Sequence, residues 1–316
     1  MVEIHWEGSI PEADCHAVVE ALTHERLVEE TLAHLAVDEV ASLDPPRLTV
    51  RYLATGGAKR VYLVRVHSQR GDPFPFVLKH FLARQLVYLP PGATLGGFPA
   101  GAPGLDDRLL ERMVWAARRV DERAPGLCAR FGGLWIWPGD NGFPQRWMTE
   151  AYLAGDSLDA WKAGLEDRFV RGELDFSRYL AMRTAMERRA MAAYIRLWDV
   201  LGRETFTSDP SPWNVLFVPT DVGYDPAIID LHSIHDSGTP VYVFQILEEL
   251  FGSRDELREH ALCPAIFDAL GVTEGREFLQ TVCVQLEAQA DQRLRCGLSS
   301  YAASCRAIRR FLSQQA

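Results

Sequence analysis

Apolar residues along this chain recur first at helical spacing, then at strand spacing, and finally at helical spacing again. Between positions 12 and 42, Val18, Leu22, Leu27, Leu32, Leu35 and Val40 punctuate acidic sequence as in one or two helices, which Asp44-Pro45-Pro46 stops. The period then shortens. RLTVRYLA, RVYLVRV and FPFVLKHF are short runs rich in Val, Leu, Phe and Tyr, separated by the turn sequences TGGAK and SQRGDP, and they predict an antiparallel meander. From Leu82 to Asp107, Pro and Gly dominate (LPPGATLGGFPAGAPG) and no period holds, so a long loop is expected there, a candidate lid. A helix is expected over 105–123, strands at LWIWP and RWMTEAYL, and mostly helix after GDSLDAW. Met186, Ala190, Ala193, Leu197 and Leu201 form one stripe of a helix packed on a core. NVLFVP and PAIIDLHS predict a hairpin around TDVGYD, and the sequence from Val241 onward reads as helices, with no internal repeat.

With 316 residues and 47% hydrophobic content, the chain is long enough for one large domain or two lobes with a substantial core. Its apolar runs are much shorter than the roughly eighteen residues of a membrane span, and MVEIHWEGSI does not read as a secretory leader. A soluble, cytoplasmic protein is the expectation. Cys15, Cys128, Cys263, Cys283, Cys296 and Cys305 show no C-x-x-C pair, which fits buried thiols in a reducing compartment. The net charge of −10 argues against nucleic-acid binding. It is unevenly spread, because residues 51 to 90 hold seven cations (Arg51, Lys59, Arg60, Arg65, Arg70, Lys79, Arg84) against Asp72 alone. A polyphosphate ligand, or solvated arginines on strand edges, would account for that bias.

The chemistry-bearing residues fall in a fixed order. Thr55-Gly56-Gly57-Ala58-Lys59 makes a glycine turn between two strands, and Val77-Leu78-Lys79 places a lysine in the strand that follows. Met148 to Leu158 (MTEAYLAGDSL) runs from strand to turn to helix. Asp209 and Asn214 stand five positions apart around Pro210 and Pro212, and the next hairpin returns to Ile228-Ile229-Asp230. Each has a plainer meaning alone: a two-glycine hairpin, an edge-strand lysine, an Asx turn before a buried strand. In this order, over roughly residues 48 to 250, they resemble the protein-kinase-like superfamily.

The resemblance implies an α+β, bilobal protein-kinase-like fold. It would have a small antiparallel β-sheet N-lobe with one helix, a larger mainly helical C-lobe, and an active site in the cleft between them. It divides the chain into an N-terminal helical extension at 1–48, an N-lobe at 49–149 and a C-lobe at 150–316. It implies ATP and Mg²⁺ as cofactors. Asp209 would orient the acceptor hydroxyl and take its proton, while Asn214 and Asp230 would hold the metal, Asp230 standing where the family has D-F-G and this chain has Asp230-Leu231-His232. Gly56 and Gly57 would admit the nucleotide phosphates to backbone N–H groups and Lys79 would pair with them. Glu111 is taken as the partner of Lys79, in competition with Asp107 and Glu122. Glu150 to Tyr152 would present backbone groups to the adenine.

Departures from the family pattern indicate the branch. Thr207-Ser208-Asp209 stands where the family has H-R-D, Ser211 replaces the lysine of many protein kinases, and no A-P-E follows Asp230. These features resemble the aminoglycoside phosphotransferase and choline kinase branch of small-molecule kinases. The implied activity is transfer of the γ-phosphate to a hydroxyl of a small-molecule acceptor. A protein kinase, a nucleotidyl-transferring relative or a pseudokinase are the alternatives. Glu248, Glu249, Asp255 and Glu256 would either attract a cationic acceptor or form a solvated helix face. No nucleic-acid or membrane partner is expected, and a protein partner would use the N-terminal extension or the 82–107 loop.

Overall fold

The strand-spaced residues beyond position 46 build a sheet whose two faces differ in kind. In this computed structural model the described residues are 2–24, 26–35, 47–55, 59–67, 72–81, 94–95, 98–99, 107–138, 144–207, 210–231, 234–236, 238–251, 258–293 and 300–315. They form two compact units: Met1–Arg118 with Ala129–Leu153, and Arg119–Cys128 with Ala154–Ala316.

The first unit carries β1 (Glu3–Glu7), α1 (Glu12–Thr23), α2 (Leu27–His34), β2 (Arg47–Thr55), β3 (Lys59–His67), β4 (Phe74–Phe81) and a minimal pair, β5 (Thr94–Leu95) and β6 (Phe98–Pro99). It also carries most of α3 (Asp107–Arg123), then β7 (Phe131–Pro138) and β8 (Pro144–Ala151). Six strands join in the order β1-β2-β3-β4-β8-β7, antiparallel except for the parallel rung between β1 and β2. The meander of β2 to β4 follows the sequence pattern closely. Strand β1 was invisible in that pattern, because it is mostly exposed and its position is fixed by the ladder it makes with β2. The stretch 1–48 therefore contributes one strand and two helices to the sheet-rich unit.

Alternation along the strands sorts their side chains. Leu48 and Val50, Tyr62, Val64 and Val66, Phe76 and Leu78, and Trp147 and Trp137 share one face, where α1 and α2 cover them with Val18, Leu22, Leu27 and Leu32. Most of these are fully buried, each contributing roughly 1.5–3 kcal/mol. Helix α2 lies close enough for Thr31 and Thr149 to share a buried hydroxyl hydrogen bond of 3.0 Å. Gly132 makes that approach feasible, since a Cβ there would meet the Thr149 hydroxyl at 2.5 Å. Asp14 on α1 is buried and answered by an ion pair with Arg60 of β3.

The second unit takes the end of α3 and continues with β9 (Asp156–Ser157) and α4 (Leu158–Val170), whose first turn is capped by Ser157 accepting from Ala160 N–H. Helix α5 (Phe176–Val200) starts at Asp175, which caps Arg178 N–H at 2.7 Å, and buries Met186, Ala190, Ala193 and Leu197, the expected stripe. Then come β10 (Phe206–Thr207), β11 (Val215–Thr220), β12 (Gly223–Ile228) and β13 (Ile234–His235). Helices α6 (Pro240–Phe251), α7 (Cys263–Leu270), α8 (Val272–Arg293) and α9 (Ser300–Gln314) complete the unit, with a π-helical turn, Arg258–Leu262, leading into α7. The α+β arrangement expected from the sequence, with sheet first and mainly helix second, is what the chain forms. Among the described residues no helix is long and apolar enough to cross a membrane. Of the described cysteines, Cys128, Cys263, Cys283 and Cys305 are buried and Cys15 is half-buried.

Candidate functional site

In the first unit one part of the sheet face turned away from α1 and α2, on β3, β4 and β8, is unusually charged for a buried surface. Strand pairing places Lys59 opposite Phe81, Val61 opposite Lys79, and Phe81 opposite Arg146, so Lys59, Lys79 and Arg146 project from the same face. All three are buried, at 7%, 4% and 8% exposure. Glu150 joins them from β8, where it stands opposite Val77 and so diagonal to Lys79. The Lys79 ammonium and the Glu150 carboxylate form an ion pair at 2.6 Å. Three buried cations and one buried carboxylate thus stand together on that face, a local bias toward binding negative charge.

The expectations for this unit meet the structure unevenly. Lys79 lies in β4 as the strand pattern required. The carboxylate beside it is Glu150 rather than Glu111, which is exposed on α3. The physical reason is reach: neighbouring strands bring the two side chains together on one face. The sequence did contain a hint, because a glutamate between Thr149 and Ala151 in a strand needs a cation once buried. The backbone of Glu150 pairs in the ladder with Val77 and Phe131, and Ala151 N–H donates to the Arg130 carbonyl at 2.8 Å. Tyr152, half-buried, is the first residue beyond those rungs. Gly56 and Gly57 lie outside the described residues, and Lys59 and Arg146 were not singled out as site residues at all.

In the second unit the β11–β12 hairpin organises two oxygen-bearing side chains. Its last rung pairs Val215 with Ile228, and one step further Ile229 N–H donates to the Asn214 carbonyl at 2.8 Å. Asn214, just before β11, and Asp230, two residues after β12, therefore belong to the same end of one element. A second ladder secures that end, since Thr207 of β10 pairs with Ile234 of β13. Asn214 is 5% exposed, closing a 3₁₀ turn, Pro212–Asn214. Its N–H donates to the Ser211 carbonyl at 3.0 Å, and the Tyr194 hydroxyl of α5 donates to the same carbonyl at 3.0 Å. Pro210 and Pro212 are buried beside it, so the two prolines stiffen a loop that α5 holds in place. Asp209 lies outside the described residues, between Thr207 and Pro210.

Asp230 adopts φ 76°, one of three non-glycine residues with positive φ among those described. A conformation of this kind costs on the order of 1–3 kcal/mol and is retained where surrounding structure enforces it. The neighbours do so here: Ile228 and Leu231 are buried on either side, and Ile229 is tied to Asn214. Gly155 at the turn into α4 has a comparable constraint, because a Cβ there would meet the Phe217 carbonyl oxygen at 2.6 Å. That contact brings β9 against β11, pairing Ser157 with Leu216. Of the acidic residues considered for a cationic acceptor, Glu248 is occupied by an ion pair with Arg258 and a 2.6 Å hydrogen bond from Ser304. Glu249 is exposed, while Asp255 and Glu256 lie outside the described residues.

An amide oxygen and a carboxylate fixed at one hairpin end are hard donors suited to Mg²⁺, which binds few protein ligands and keeps several waters. No protein-family model and no curated protein matches the chain. Among solved structures it is similar to one described as WaaP in complex with acyl carrier protein, at 15% sequence identity and a TM-score of 0.41, over 76% of this chain and 87% of that one.

Proposed function

We propose that this protein is an ATP- and Mg²⁺-dependent phosphotransferase that passes a γ-phosphate to a hydroxyl of a small-molecule acceptor. The observation that supports the reading is the hairpin end, where Ile229 N–H donates to the Asn214 carbonyl, so that Asn214 and Asp230 stand at the same end of the β11–β12 hairpin, and where Asp230 has a positive φ. In this reading those two residues hold the metal, and the metal offsets charge on the transferred group. Asp209 orients the acceptor hydroxyl and takes its proton. Lys79, positioned by Glu150, pairs with the nucleotide phosphates, and Lys59 and Arg146 add positive potential on the same sheet face. Gly56 and Gly57 let backbone N–H groups approach the phosphates, and Tyr152 is the remaining backbone candidate for the adenine.

The test is calorimetry of ATP binding with and without Mg²⁺, followed by a screen of hydroxylated metabolites and antibiotics for ATP consumption. Asp209→Asn serves as the blank, expected to retain Mg²⁺–ATP binding and to lower turnover by several orders of magnitude. Turnover equal to wild type in that variant would remove Asp209 from the mechanism. The alternative is nucleotide binding without transfer. It predicts binding by calorimetry with no acceptor-dependent ATP consumption anywhere in the screen.

A further inference from the structure

We propose that Cys283, Glu287 and Cys305 form a site for a thiophilic divalent cation, zinc being the best fit, which pins α8 to α9. Two sulfurs and one carboxylate oxygen lie within 4.8 Å of one another. Cys283 and Glu287 are four residues apart on α8, so one helical face presents both. Cys305 approaches from α9, its thiol donating to the Cys283 carbonyl at 3.7 Å, while the Cys283 thiol donates to Glu287 at 3.9 Å.

The geometry is near what a tetrahedral ion needs. Zinc–sulfur bonds of about 2.3 Å set a sulfur–sulfur separation of about 3.8 Å, so the side chains must close in by roughly 1 Å, a small rotamer adjustment. Sulfur ligands select zinc, cobalt and cadmium over magnesium and calcium, which keeps this site chemically apart from the oxygen donors of Asn214 and Asp230. Both cysteines are buried, whereas Glu287 is exposed, giving an ion a path inward. Arg309 already pairs with Glu287 and would offset the excess negative charge of two thiolates and a carboxylate around a dication. Each thiol gives up its proton to solvent as the sulfur–metal bond forms, and the fourth position is left to water.

The experiment is a Co²⁺ titration of the full chain, kept reduced with a phosphine, read by sulfur-to-cobalt charge-transfer absorption. One equivalent should saturate a band of two-thiolate intensity, and zinc should displace it. Cys283→Ser and Cys305→Ser should each lose the band, whereas the Cys15→Ser/Cys296→Ser double variant should keep it. Glu287→Gln changes an exposed side chain and leaves both thiols in place, so it tests the site even if a cysteine variant fails to fold; cobalt affinity should drop at least about tenfold. Zinc should raise the melting temperature of the wild type and not that of Cys305→Ser. A wild type without a saturable band, or a band that survives in Glu287→Gln at full affinity and in both cysteine variants, overturns the proposal.

Discussion

Glu150→Gln removes the charge that answers Lys79 while preserving the shape of the side chain. The two side chains are 5% and 9% exposed and their charged atoms are 2.6 Å apart, so solvent can do little to screen the ammonium left behind. Breaking a buried pair from one side typically costs about 3–5 kcal/mol, because the remaining charge stays desolvated. For a unit of this size each kcal/mol lowers the melting temperature by roughly 2–4 °C, so a drop of about 6–20 °C is expected. Lys79→Met should cost a similar amount. The double variant, with neither charge, should recover most of the loss, giving a coupling energy of at least about 3–5 kcal/mol, the size of one single loss, in a double-mutant cycle. Urea unfolding followed by tryptophan fluorescence measures it, Trp147 lying in the core of the same sheet. Single variants that each lose less than about 1 kcal/mol, or losses that simply add in the double variant, would refute the idea that a desolvated ion pair organises this face.

Three further outcomes follow from individual side chains. Asp230→Gly should abolish the Mg²⁺-dependent part of ATP binding while leaving stability unchanged or raised by up to about 1 kcal/mol, because glycine accepts the φ of 76° without strain; calorimetry and thermal melting read the two effects separately. Burial holds the His80 imidazole down to about 4 from its ordinary 6.5, so the native state keeps it neutral while the unfolded chain takes up a proton. Stability from this group is complete above pH 6.5 and is lost as pH falls toward 4, by about 3 kcal/mol in all; His80→Gln should flatten that slope in melting curves, and an NMR titration placing His80 near 6.5 would contradict it. Tyr194→Phe deletes the hydroxyl that donates to the Ser211 carbonyl and should cost about 1–2 kcal/mol, with a larger loss of turnover than of nucleotide affinity; equal losses in both would show that the bond does not position the loop.

What the sequence determined by itself are the features that depend on local period and local chemistry. Alternating residues in 47–81 specified the meander, the Met186-to-Leu201 stripe specified α5, and NVLFVP with PAIIDLHS specified the hairpin that ties Asn214 to Ile229. Side-chain spacing of 2 and 3.6 is a property of the backbone, so it is readable without neighbours. Tertiary structure alone decided which distant groups meet. Glu150 faces Lys79 because β8 pairs with β4, a choice made by packing across the sheet, and Glu111 was nearer in the linear argument but ends up exposed. Strand β1, with few buried residues, exists through its ladder to β2. Cys305 reaches Cys283 because two C-terminal helices lie side by side, a contact between residues 22 positions apart that no local pattern encodes.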